Sequence, residues 1–271
     1  MIPIRDVNPT SRTAWLTLAL IVTNVAVFVL WEPTFDGPQA QQEFFFCTAE
    51  IPFEVANQTT LAEGGAEARQ AIQESFSAGR SESAGLQGFL AQRCPDKSWL
   101  ASIFVSMFLH GGWLHLAGNM LFLWIFGNNV EDRLGRLLFL LFYVMGGLAA
   151  TGLQLVIDPN AAVPNVGASG AIAAILGAYL VMFPAARVHT LVIFFFVTFV
   201  DLPAVLVLVS WFVLQLFSGV GEMGRDVGGG VAYWAHVGGF AFGAAITWLF
   251  FRQRRRPAAA VWPSPPPYDR Y

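Results

Sequence analysis

The chain has 271 residues, of which 55% are hydrophobic and only 12% charged. That balance excludes an ordinary soluble globular domain and marks an integral membrane protein. The net charge of −3 carries little by itself, because the charges are unevenly placed along the chain.

Taken in chain order, a basic head at 1–12 precedes an apolar run near 13–31 that is long enough to cross about 30 Å of hydrocarbon. No small-residue cleavage site follows it, so it reads as a retained span. The 32–98 segment is acidic, with ten Asp/Glu against four Lys/Arg, and contains Cys47 and Cys94. The stretch from Trp99 is broken by His110, Gly111, Gly112, His115 and Asn119, which places a second span near 113–130. A third fits 137–157, and a fourth fits 167–183 with Pro184 as its stop. The run 188–217 is too long for one span and too short for two; it reads as an interfacial piece and then a span starting near Leu202-Pro203. The last span fits 231–251, and the Pro-rich tail at 252–271 is expected to be disordered. The predicted fold is an all-α integral membrane protein with six transmembrane helices spanning 13–251.

Ten of the fifteen Lys/Arg lie in the head, the 131–136 turn, Arg187 and the tail. The positive-inside rule then puts both termini in the cytoplasm and the 32–98 loop on the exoplasmic side of a cell (plasma or inner) membrane. Two thiols on an oxidising side allow a Cys47–Cys94 disulfide; two free thiols in a reducing host are the alternative. Phe44-Phe45-Phe46 fits either a loop edge in the interface or packing on the protein.

At 1.5 Å per residue the fourth helix covers only about 25 Å, less than the hydrocarbon thickness. Preceded by an irregular loop from Asp158, it is expected to begin below the exoplasmic surface, with Ser169 at a submerged N-terminus facing a wet cavity. His115 and Asn119, at i and i+4, share a face in the first turns of the second span. His236 lies about one turn into the sixth. Four polar side chains at one depth, where each is costly, form a candidate site. Singly, a serine back-bonds to a carbonyl and a histidine links helices. His110, five residues before His115, is off that face and reads as a structural anchor. Small residues on the fourth helix (Gly170, Ala174, Gly177) and Gly239 and Gly243 on the sixth allow those helices to approach closely.

A serine beside a neutral imidazole is an activated nucleophile. The Ser169 amide, Asn119 and His115 can donate to an oxyanion. Asp201 falls at the wrong depth to orient His236, and Asp226 lies in a Gly-rich loop, so a dyad is expected.

The segments "GASGA" around Ser169, "AHVGGFAFG" around His236, "HGGWLHLAGN" before the second span and "EDRLGR" after it resemble the rhomboid family of intramembrane serine proteases. The resemblance covers the six-span core. It implies Ser169 as nucleophile, His236 as general base, and an oxyanion hole from Asn119, His115 and the Ser169 amide. Gly167, Gly170, His110, Gly239 and Gly243 are expected to support the site. It further implies cleavage of single-span membrane proteins near their exoplasmic ends, entry between the second and fifth spans, and no cofactor, metal or nucleic acid. Two departures stand out. Ala173 occupies the position where some relatives stack an aromatic ring on the catalytic histidine, and no Trp-Arg pair occurs in the first loop. The 53–98 stretch looks like an insertion.

Three rival readings are weaker. A zinc site of His110, His115 and His236 lacks a carboxylate or thiolate at that depth and any H-E-x-x-H. A transporter requires inverted repeats, and none is seen. A non-catalytic rhomboid-like binder of transmembrane helices is the remaining alternative.

Overall fold

The computed structural model describes residues 1–193, 197–222 and 232–251. Asp226 and the 252–271 tail lie outside the described residues.

The N-terminal strand β1 (Ile2–Asp6) leads into α1 (Trp15–Leu30). Four helices follow in the first loop: α2 (Pro38–Thr48), α3 (Pro52–Asn57), α4 (Gly65–Phe76) and α5 (Arg80–Arg93). A short α6 (Trp99–Ser106) precedes α7 (Trp113–Phe122), which continues through a π-helical turn (Leu123–Gly127) into α8 (Asn128–Leu134). Then come α9 (Arg136–Ile157), α10 (Ser169–Met182), strands β2 (Arg187–Ile193) and β3 (Val197–Pro203), α11 (Ala204–Glu222) and α12 (Tyr233–Phe250).

These limits follow from local chemistry. Gly135, at φ +79°, is the single residue between α8 and α9 and reverses the chain in a conformation that L side chains rarely adopt. Pro184 follows the last turn of α10. The carboxylate of Glu131, from the "EDRLGR" turn, accepts hydrogen bonds from the amides of Leu16 (3.0 Å) and Thr17 (2.7 Å) at the start of α1. It therefore satisfies amides that the helix itself leaves without partners.

The core is built around α10. Every residue from Gly170 to Tyr179 is buried, and α9 and α12 pack on either side. Small residues make this possible. A Cβ on Gly239 would overlap the carbonyl oxygen of Gly170, one on Gly243 that of Ala174, and one on Gly177 that of Phe240. On the other flank, a Cβ on Gly146 would sit 2.5 Å from that of Ala174. The outward faces are apolar: Leu137, Leu141, Leu206, Leu214, Phe217 and Leu249 are all exposed. So broad an apolar surface suits lipid rather than water. Helix α9 and residues Ala204–Gly221 are each long and apolar enough to cross a membrane by length and composition.

The chain is mostly helical, as an all-α membrane protein should be, and it carries one small sheet that the sequence reading did not include. Strands β1, β2 and β3 form an antiparallel three-stranded sheet in that order, with Asp6 opposite Val188 and His189 opposite Asp201. The stretch expected to be an interfacial piece is therefore the β2–β3 hairpin, whose residues 194–196 lie outside the described ones. Its β-branched and aromatic composition favours strands. The basic head supplies β1.

The first loop is a folded unit. Phe46, Ile51, Phe53, Leu61, Ile72, Leu90 and Cys94 form its core, which also takes in Ala162 from the segment before α10. Cys47 and Cys94 are joined in a disulfide. Phe46 is buried, and the Phe44 ring meets Trp31 edge-on at 5.2 Å, so the aromatic triplet packs on the protein. Beneath it Lys97 pairs with Glu54 at 2.6 Å, with side-chain exposures of 3% and 2%. Burial lowers the Lys97 pKa and raises that of Glu54, each opposed by the partner's charge.

Candidate active site

The segment from Asp158 to Ala168 sets up the start of α10, and the first-loop unit holds that segment. The Phe53 amide donates to Ala161 O (3.0 Å), the Ala162 amide to Ser75 Oγ (2.8 Å), and the Asn165 amide to Glu50 O (2.7 Å). Asn165 Nδ2 donates to Glu50 Oε2 at 2.9 Å, while the Glu50 amide donates to Ser106 Oγ. Burial raises the Glu50 pKa to about 7, with Asn165 and Lys97 opposing the shift. Gly167, at φ +135°, then turns the chain, and its amide donates to Ser106 O at 2.9 Å. A Cβ there would lie 2.9 Å from the His115 ring. Glycine is thus required for both conformation and space.

Ser169 is the first residue of α10, so its backbone amide belongs to the turn that lacks intrahelical acceptors. Its Oγ lies 2.7 Å from Nε2 of His236, one turn into α12. The contact rests on the α10–α12 approach, because Gly170 and Gly239 touch immediately beside the pair. The other ring nitrogen, Nδ1, lies 2.8 Å from Oε1 of Gln215 on α11.

His115 and Asn119 stand on one face of α7 and line the same cavity of about 720 Å³ as Ser169, Gln215 and His236. The Gly111 amide donates to His115 Nδ1 at 3.3 Å, which leaves the proton on Nε2. Asn119 is 8% exposed, and its Nδ2 has no hydrogen-bond partner among the described residues. Because Asn119 lines the cavity, that amide is placed to donate to a group that enters it.

His110 is fully buried and outside the cavity lining. Its amide donates to Glu32 Oε1 at 3.0 Å, and its ring meets that of His115 edge-on at 5.3 Å. Asp201 contacts His189 within the hairpin at 2.8 Å. The described residues contain no cluster of three or more His, Cys, Asp or Glu suited to a metal ion. Chemically, an imidazole can take the proton of a hydroxyl held this close, and two donors on α7 face the same space.

Sequence reasoning missed Gln215. The signal available was depth: at 1.5 Å per residue, Gln215 is about 17 Å from the start of α11, while Ser169 and His236 are about 20 and 21 Å from the ends of their helices.

A model of the Rhomboid domain matches residues 97–253. The chain belongs to the rhomboid family. It is 33% identical over 171 residues to Rhomboid protein 1, mitochondrial, of Saccharomyces cerevisiae, covering 59% of this chain and 46% of that one. It is 27% identical over 184 residues to RHOMBOID-like protein 6, mitochondrial, of Arabidopsis thaliana, covering 63% and 52%. It is 44% identical over 72 residues to Rhomboid protease GluP of Bacillus subtilis, covering 27% and 14%. The chain thus spans about half the length of the yeast and plant relatives. These relatives overturn the cell-membrane placement, since the two longer matches are mitochondrial proteins and point to a mitochondrial membrane. Lys/Arg asymmetry can orient a bundle, but it does not identify the membrane that holds it. Rhomboid proteins are in general intramembrane serine proteases that act on transmembrane helices in the bilayer.

Proposed function

We propose that this chain is an intramembrane serine endopeptidase with a six-span bundle formed by α1, the α7–α8 rod, α9, α10, α11 and α12. In this reading, α10 starts below the membrane surface and the first-loop unit caps the bundle. Relatives in mitochondria support a mitochondrial membrane as its setting.

Ser169 Oγ attacks the scissile carbonyl carbon while its proton passes to His236 Nε2. The resulting oxyanion accepts hydrogen bonds from Asn119 Nδ2, His115 Nε2–H and the Ser169 amide. His236 then gives its proton to the departing amine nitrogen, leaving an acyl-enzyme. Water attacks the ester carbonyl and loses a proton to His236, which returns it to Ser169 Oγ as the ester C–O bond breaks and the second product leaves as a carboxylic acid. Single-span membrane proteins are the substrate class, cut near the end that faces the first-loop unit.

The observation that carries this reading is the 2.7 Å Ser169–His236 contact beside the unpartnered amide of Asn119. The test is cleavage of a panel of single-span proteins by the purified chain, beside Ser169→Ala and His236→Ala. Both variants should be inactive. A Ser169→Ala protein that cleaves like wild type refutes the assignment, and a wild type that cuts nothing while still binding the panel favours a helix binder.

A further inference from the structure

A neutral imidazole has one N–H, and only the form protonated on Nδ1 leaves the Nε2 lone pair free to take a proton. A fixed partner on the second nitrogen decides which form prevails. In Ser-His-Asp sites a buried carboxylate plays that part.

In this chain, Ser169 meets His236 from α10, and α11 presents Trp211 with ring centroids 5.9 Å apart. Tyr233 on its own helix lies edge-on at 6.4 Å, and His115 faces it across the cavity from α7. The stretch of α9 beside α12 contributes Ala149, Ala150 and Leu153 against Gly238. Among the described residues, the acceptor facing Nδ1 is Gln215 Oε1, at 2.8 Å.

We propose that Gln215 is a positioning residue that sets the His236 tautomer: its side-chain carbonyl accepts the Nδ1–H and keeps the Nε2 lone pair aimed at Ser169. This inference deepens the proteolytic reading and rests on it for its kinetic consequence. Gln215 neither gains nor loses a proton. When Nε2 receives the serine proton, Nδ1–H still donates to the same oxygen, so the imidazolium keeps its orientation until the amine leaves. The amide takes this role at the depth where Ala173 offers no ring to hold the histidine. Trp211 and Gln215 lie one turn apart on α11, so a shift of α11 away from α12 would remove both the ring and the acceptor.

The test uses the full chain in lipid nanodiscs, with cleavage kinetics and nitrogen NMR of labelled histidine. Gln215→Met removes the acceptor while keeping the length, and Gln215→Glu restores an oxygen at the same place. Loss of the second-nitrogen partner of a metal-bound histidine costs about 10- to 100-fold in activity, and a neutral amide partner of this imidazole is expected to act in the same range. Gln215→Met should therefore lower kcat by that factor with KM unchanged, and Gln215→Glu should recover most of it. The wild-type spectrum should show His236 protonated on Nδ1, and the Met variant should lose that preference. A Met variant with wild-type kcat overturns the proposal, as does a wild type whose Nδ1 carries no proton. The wild-type spectrum decides the matter if the Met variant fails to fold. Failure of the protease reading is separate: wild type then cleaves no more than Ser169→Ala, whatever the spectrum shows.

Discussion

Replacing Gly239 with alanine adds one methyl group where α10 and α12 touch beside the Ser169–His236 pair. That Cβ would overlap the carbonyl oxygen of Gly170, the residue after Ser169. Relaxing the overlap to an ordinary carbon–oxygen contact of about 3.3 Å requires the helices to part by roughly 1 Å. The Ser169–His236 contact, now 2.7 Å, would then lengthen beyond hydrogen-bond range. Overpacking of this kind costs about 1–3 kcal/mol of stability, and a 1 Å misplacement of reacting groups costs about 100-fold in rate. Gly152→Ala, on α9, is the control, because a Cβ there meets nothing within 4 Å. Thermal unfolding and cleavage rate should be measured on both variants in the same detergent. The expected pattern is a lower melting temperature and a large fall in kcat for Gly239→Ala, with Gly152→Ala close to wild type. A Gly239→Ala protein with wild-type kcat would show that this contact does not set the geometry of the pair.

Other consequences follow from the same contacts. Asn119→Ala should reduce kcat by about 100- to 1,000-fold with little change in stability, the cost of one oxyanion donor; unchanged kinetics would remove Asn119 from that role. Lys97→Met leaves the Glu54 carboxylate buried without its partner and should destabilise the first-loop unit by about 3–5 kcal/mol, measured by thermal unfolding. The folded-state pKa of Glu50 lies above its unfolded value of 4.5, at about 7, so the folded chain binds more protons across that window. Stability should accordingly fall as pH rises from about 5 to 8, by at most about 3 kcal/mol from this group. Glu50→Gln should flatten the slope, and an equally steep Glu50→Gln profile would exclude Glu50 as its source. Cys47 and Cys94 are 47 residues apart, and removing a cross-link of that span costs about 4 kcal/mol in the chain-entropy account. The Cys47→Ser/Cys94→Ser pair should therefore melt at a lower temperature than the oxidised wild type.

The helices of the bundle were legible because run length and stop residues carry the information: α9 and α10 fall within two residues of the limits expected from hydropathy and Pro184. The gathering of Ser169, His236, His115 and Asn119 was legible from depth together with the small-residue faces of the fourth and sixth helices, since helix rise converts position in sequence into height. Gln215 escaped because one amide in an apolar helix matches no motif, although the same count of rise applied to α11 would have found it. The β2–β3 hairpin escaped because "VHTLVIFFFVTFV" is apolar apart from His189, Thr190 and Thr198, and a largely apolar run of that length fits an interfacial piece as well as strands. The role of the first-loop unit was beyond reach for a different reason. It depends on long-range pairs such as Glu50–Asn165 and Phe53–Ala161, in which neither partner is unusual on its own.

The most direct measurement is covalent capture of the hydroxyl by a fluorophosphonate, mapped by peptide mass spectrometry on the full chain in lipid. The account predicts a single adduct on Ser169, abolished by Ser169→Ala and strongly reduced by His236→Ala. An intact, folded wild type that takes no label at Ser169, or one labelled equally well without the imidazole, would contradict the claim that His236 activates this serine.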